Sequence, residues 1–108
     1  VAASMTVIGF LSTAPATDES MAADVAGAIE AIDETGLAYE TGPMGTTIEA
    51  ESMSELLEAV EAAHESIDAD RVSTFLKVDD KRTSDESASE KVDAVEDHLG
   101  RDARADRQ

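Results

Sequence analysis

Apolar and polar residues follow two rhythms along this chain, and the switches between them mark its elements. Over 2–11, AASMTVIGFL places Met5 and Val7 on one side of an extended strand and Ile8 and Phe10 on the other, so both faces are apolar. Such a strand is ordinarily covered on both sides. Pro15, within STAPATDES, reads as a breaker. From about 18 to 35 the spacing turns helical: Met21, Val25, Ala28, Ile29 and Ile32 share a stripe, while Asp24, Glu30, Asp33 and Glu34 take the other side. Asp18 and Glu19 suit the positive end of a helix dipole. Gly36 stands where a left-handed cap is common.

Leu37–Thr41 and Gly45–Ala50 read as short strands, and the Gly42-Pro43 turn between them makes the pair a hairpin. Ser52 and Glu55 match a capping box opening a helix with Met53, Leu56, Leu57, Val60, Ala63 and Ile67 on one stripe, ending near Asp68. RVSTFLKVDD, 71–80, is a strand with Val72, Thr74, Leu76 and Val78 on one face and Ser73, Phe75 and Lys77 on the other. Ser87 and Glu90 form a second capping box, before a helix striped by Val92, Val95 and Leu99 and stopped at Gly100. The order β-α-β-β-α-β predicts an α+β, ferredoxin-like sandwich: a four-stranded antiparallel sheet, two helices on one face, and an added C-terminal helix. One domain is expected over 1–100, with 101–108 a flexible tail. The face without helices carries Phe75 and half of an apolar strand, which predicts a homo-oligomer that covers it.

Composition sharpens this picture. At 108 residues the chain holds one domain at most, and Phe10, Tyr39 and Phe75 are its only aromatics, so Val, Ile, Leu, Met and Ala must build the core. No cysteine is present, which removes disulfides, thiolate metal sites and thiol nucleophiles and fits a reducing, cytoplasmic setting. The formal charge of −17, from 25 acidic and 8 basic residues, repels nucleic acid and anionic lipid. At molar ionic strength the Debye length falls to about 3 Å, and self-repulsion of that kind is screened. A salt-adapted protein from a halophile is therefore expected. No stretch reaches the roughly 18 apolar residues of a membrane helix, and the N-terminal run reads as a strand, not a signal peptide.

The stretch ETGLAYETGPMGTTIEAE, followed by LLEAVEAAHESIDADRVSTFLKVDDKR, resembles the small thiamine-binding-protein family over residues 2 to about 99. The resemblance is carried by Gly36, Leu37 and Tyr39, by Pro43-Met44-Gly45-Thr46, by Ala63-His64, and by Asp79, Asp80 and Arg82. It implies a ferredoxin-like fold, assembly into dimers or tetramers through sheet faces, and binding of thiamine or its hydroxymethylpyrimidine portion without chemistry or a cofactor. Ser4 stands where the family often has an acid, and Gly9 where it often has proline.

Within that resemblance Met44, Gly45, Thr46, Thr47 and Phe75 are the candidate ligand-binding residues. Gly45 would let a flat ring approach the backbone, Thr46 and Thr47 offer hydroxyls, Met44 an adaptable wall, and Phe75 a stacking surface. The plainer alternative is a hairpin whose glycines permit tight geometry, with threonines that suit strands and Phe75 in a subunit contact. His64 is expected to be a packing or hydrogen-bonding histidine, and DDKR at 79–82 a solvated strand end and not a metal pair. No Gly-x-Ser-x-Gly elbow or P-loop occurs. Binding without catalysis is therefore the leading expectation, a ligand-free assembly or regulatory module the second, and a metal-dependent enzyme the third.

Overall fold

The structure is a computed structural model, and it describes residues 6–107. Met5, Ser4 and the expected strand start at residue 2 lie outside the described residues. The elements are β1 (Val7–Pro15), α1 (Ala22–Asp33), β2 (Ala38–Thr41), β3 (Thr46–Ala50), α2 (Met53–Glu65), β4 (Val72–Asp80) and α3 (Ala88–Leu99). The strands form one antiparallel sheet in the order β2-β3-β1-β4. This is the expected ferredoxin-like α+β arrangement with a C-terminal helix added.

Register assigns each side chain to a face. Val7, Gly9, Leu11 and Thr13 of β1 share the helix-covered face with Ile48 of β3 and Thr74, Leu76 and Val78 of β4. Ile32 from α1 and Leu56 from α2 close over Ile48, and these three side chains are fully buried. Burying an aliphatic side chain of that size contributes about 1.5–3 kcal/mol. Gly9 makes the layer close: a Cβ there would stand 2.7 Å from Leu56 Cδ1. In this chain the α2 leucine occupies the space that a larger strand residue would take.

The helix boundaries follow local hydrogen bonds. α1 starts at Ala22, later than its charge pattern suggests, because Thr17 Oγ1 accepts from the Glu19 amide and turns the chain before helical geometry begins. It ends at Asp33; Thr35 Oγ1 donates to the Ile32 carbonyl, and Gly36 follows with φ of 80°. Ser52 and Ser87 accept from the amides of Glu55 and Glu90, so both caps form as their sequences predict.

One feature differs from the sequence expectation, and a second lies beyond it. β1 does not end before Pro15 but includes it. Pairing with β3 stops at Leu11, whereas pairing with β4 runs on to Pro15 opposite Val72. Over its last residues β1 is thus an edge, where a missing N–H is tolerated. The second feature is α3, which crosses to the helix-free face. The Ala88 amide donates to Glu49 Oε1, and Lys91 Nζ lies 2.9 Å from Asp79 Oδ2. Beyond that anchor α3 buries no residue: Val92, Val95 and Leu99 are 50%, 58% and 45% exposed. A compact chain of this length has a radius of gyration of about 13 Å; here it is 15.5 Å. Residues 101–107 carry no helix or strand.

Candidate functional site

The mismatch in strand length creates a hollow. Since β3 leaves β1 at Leu11, the Gly42–Gly45 turn of the hairpin closes one side of a gap, and α1 roofs it from Val25 to Ile32. The turn itself is pinned by the Gly42 amide donating to the Gly45 carbonyl at 2.9 Å. The resulting cavity has a volume of about 170 Å³. Cavities of about 150 Å³ lined by aliphatic and aromatic side chains take up benzene, so a single six-membered ring is the scale of guest that fits.

Leu11, Val25, Ala28 and Ile32 supply its apolar wall, and Thr13, Thr41 and Thr46 its side-chain hydroxyls. Thr13 and Thr46 are buried, at 8% and 4% exposure. Thr46 Oγ1 is 3.1 Å from Thr41 Oγ1 across the hairpin. Thr13 Oγ1 is 2.6 Å from Thr74 Oγ1, which in turn is 2.6 Å from His64 Nδ1 on α2. An apolar hollow with a few convergent polar groups is the usual form of a small-molecule site. Among the described residues that line it no side chain is ionised, and uncharged donor and acceptor patterns suit it.

The five candidate residues divide between the two faces of the sheet. Met44, Gly45 and Thr46 line the cavity, with Met44 79% exposed at its rim. Thr47 and Phe75 point the other way, Thr47 opposite Phe10 and Phe75 opposite Ser12. Thr47 borders a smaller recess beside Ala88 and Glu49, and Phe75 is 61% exposed. The flat ring that rests on Gly45 is the protein's own: an added Cβ would stand 2.7 Å from Phe10 Cζ and 2.8 Å from the Leu11 carbonyl oxygen. Thr13, Thr41 and His64 were not among the candidates. Thr13 follows from strand parity once β1 is carried past Leu11, but nothing local ties His64 to it.

A wider, shallower hollow of about 480 Å³ lies on the open face, lined by Ile8, Phe10, Lys77, Asp79 and Lys91. The Lys91 ammonium hydrogen-bonds Asp79 and attracts it electrostatically, holding that carboxyl below its ordinary range, and the same pairing raises Lys91. At the other side of the sheet the Tyr39 hydroxyl donates to Asp33 Oδ1 at 2.8 Å, which pushes its phenol up. Among the described residues no group of three or more His, Asp or Glu side chains is disposed to hold a metal ion.

A family model described as thiamine-binding protein matches residues 10–96. The chain belongs to the thiamine-binding protein family. A family relative from Methanothermobacter thermautotrophicus, named UPF0045 protein, is 43% identical over 83 residues, covering 74% of this chain and 84% of the relative. The solved structure of a hypothetical protein from Methanocaldococcus jannaschii superposes with a TM-score of 0.77 at 31% identity, covering 83% of this chain and 95% of that one. A Thermotoga maritima protein, provisionally named for thiamine biosynthesis or salvage, superposes with a TM-score of 0.64 at 26% identity, covering 83% and 98%. The hairpin that walls the cavity lies within the matched residues.

Proposed function

We propose that this protein binds thiamine, or its hydroxymethylpyrimidine portion, in the cavity between β1, α1 and the hairpin, and leaves it chemically unchanged. The carrying observation is that the hairpin residues Met44, Gly45 and Thr46 line an apolar hollow of one-ring size whose side-chain polar groups are neutral hydroxyls. An aminopyrimidine offers its donors and acceptors in one plane and needs no ionised partner. The thiazolium of thiamine would extend past Met44 towards solvent, where a chain of −17 attracts a cation. The lysine-lined hollow on the open face suits that cation poorly. Copies of the chain would pack through the open face, with Phe75 and the α3 stripe in the contact, to give a dimer or tetramer working in the cytoplasm. A ligand-free assembly role is favoured only by that exposed apolar surface.

Isothermal titration in molar KCl tests the binding role. Thiamine and hydroxymethylpyrimidine are each expected to saturate one site per chain, and Thr46→Val to weaken both by about tenfold, the scale of a lost hydrogen bond with its partner left unmet. Silence from both ligands overturns it.

A further inference from the structure

The hydroxyl chain Thr13–Thr74–His64 joins the cavity wall to the surface of α2. Its links are 2.6 Å each, and in neither does the geometry fix which atom donates. Each threonine has a single hydroxyl hydrogen, so a Thr74 that donates to Nδ1 can only accept from Thr13, whereas a Thr74 that accepts from Nδ1–H has its own hydrogen free to turn to Thr13. With the ring neutral and its proton on Nε2, Nδ1 accepts from Thr74, Thr74 oxygen accepts from Thr13, and the Thr13 lone pairs remain for the cavity. With the ring protonated, Nδ1–H donates to Thr74, the Thr74 hydrogen turns to Thr13 oxygen, and the Thr13 hydrogen is released towards the cavity.

We propose that His64, acting through Thr74, sets whether Thr13 offers the cavity an acceptor or a donor, and thereby which pyrimidine the site prefers. Resting on the binding role proposed for this cavity, it deepens that role: a 4-amino pyrimidine is favoured when the ring is neutral and a 4-oxo pyrimidine when it is protonated. His64 and Thr74 are positioning residues; Thr13 is the one that meets the ligand. Histidine is the side chain whose ordinary titration lies between about pH 5 and 8.

On α2 itself the charges near the ring in sequence are Glu61, one turn before it, and Glu65 beside it, with Asp68 in the loop that follows. On the strands beneath, the same-face neighbours of Thr13 are Leu11 and Pro15, and those of Thr74 are Val72 and Leu76, none of them charged. Arg71 precedes β4, and its carbonyl accepts from the Ala16 amide. α1 turns Ala28 and Ile32 towards the core.

The test compares thiamine with oxythiamine, its 4-oxo analogue, by titration calorimetry in molar KCl at about pH 5.5 and about pH 8. In the wild type the ratio of thiamine to oxythiamine affinity is expected to rise by about tenfold between the two. In Thr74→Val and in His64→Gln the ratio is expected to lose that change, and titration of the ligands themselves, common to all three proteins, cancels in the comparison. Equal pH dependence in wild type and both variants overturns the proposal. Ring-nitrogen NMR of the unliganded protein separates the two ideas. A neutral His64 ring protonated on Nε2, with an Nδ1 signal that moves in Thr74→Val, supports the relay. A neutral ring protonated on Nδ1, or a signal indifferent to Thr74, overturns it. If neither ligand binds at either pH, the binding role fails, and the ligand preference with it, whatever the NMR shows.

Discussion

Gly45→Ala is the sharpest single perturbation of the hairpin. The added methyl would lie 2.7 Å from Phe10 Cζ and 2.8 Å from the Leu11 carbonyl oxygen. These two contacts differ in kind. Phe10 is half-buried on the open face, and its ring can swing aside. The Leu11 backbone cannot, because it is paired with Thr46 on one side and Leu76 on the other. Relief must come from the hairpin lifting away from β1, which breaks the Leu11–Thr46 end of the ladder. Overpacking of this sort costs about 2 kcal/mol, roughly 8 °C in Tm for a domain near this size. Urea unfolding followed by circular dichroism in molar KCl measures it. Adding Phe10→Leu should recover only part of the loss, since the carbonyl contact remains, and a double-mutant cycle isolates the ring's share. A Gly45→Ala protein within about 0.5 kcal/mol of wild type would show that the hairpin does not press on β1, and the cavity wall would have to be redrawn.

Other consequences are equally open to measurement. Because 25 acids face 8 bases, thermal unfolding is expected at a higher temperature in molar KCl than in dilute buffer, and an equal or lower midpoint would remove the salt-adaptation argument. The wild type is expected to sediment as a dimer or tetramer at micromolar concentration and Phe75→Asp as a smaller species; a monomeric wild type would refute the open-face contact. The Asp79–Lys91 pair ties α3 to β4. Asp79 is held low, so its contribution is present at neutral pH and fades as pH falls through and below the ordinary Asp value of about 3.9. Lys91 is raised, so its contribution persists below the ordinary Lys value of about 10.4 and fades as pH climbs beyond it. Protection of the α3 amides, taken relative to their intrinsic exchange rates at each pH, should fall at both extremes, and Lys91→Met should flatten that dependence; an unchanged profile would mean the pair does not anchor the helix.

Local signals carried most of the fold. Ser52, Ser87 and Gly36 each act within a few residues of themselves, and each cap or turn forms where its neighbours in sequence demand it. Strand parity put Phe75 on the open face, and the structure agrees. What escaped is non-local. The length of β1 depends on where β3 lets go of it, and only the assembled sheet decides that Pro15 can remain in the strand. The placement of α3 depends on Glu49 and Asp79 meeting Ala88 and Lys91 across a long span of chain. The same holds at the site. Pro43 to Thr46 stood out as a hairpin, but its cavity needs α1 and the far end of β1, and the Thr13–Thr74–His64 chain draws on β1, β4 and α2 together.

The most direct measurement is where the ligand lands. Backbone amide NMR of the protein titrated with hydroxymethylpyrimidine in molar KCl should move the signals of Thr13, Met44, Gly45 and Thr46 together. Signals from Ile8, Lys77 and Lys91 on the other side of the sheet should stay in place. Saturable shifts confined to that opposite side, with the hairpin unmoved, would contradict the account.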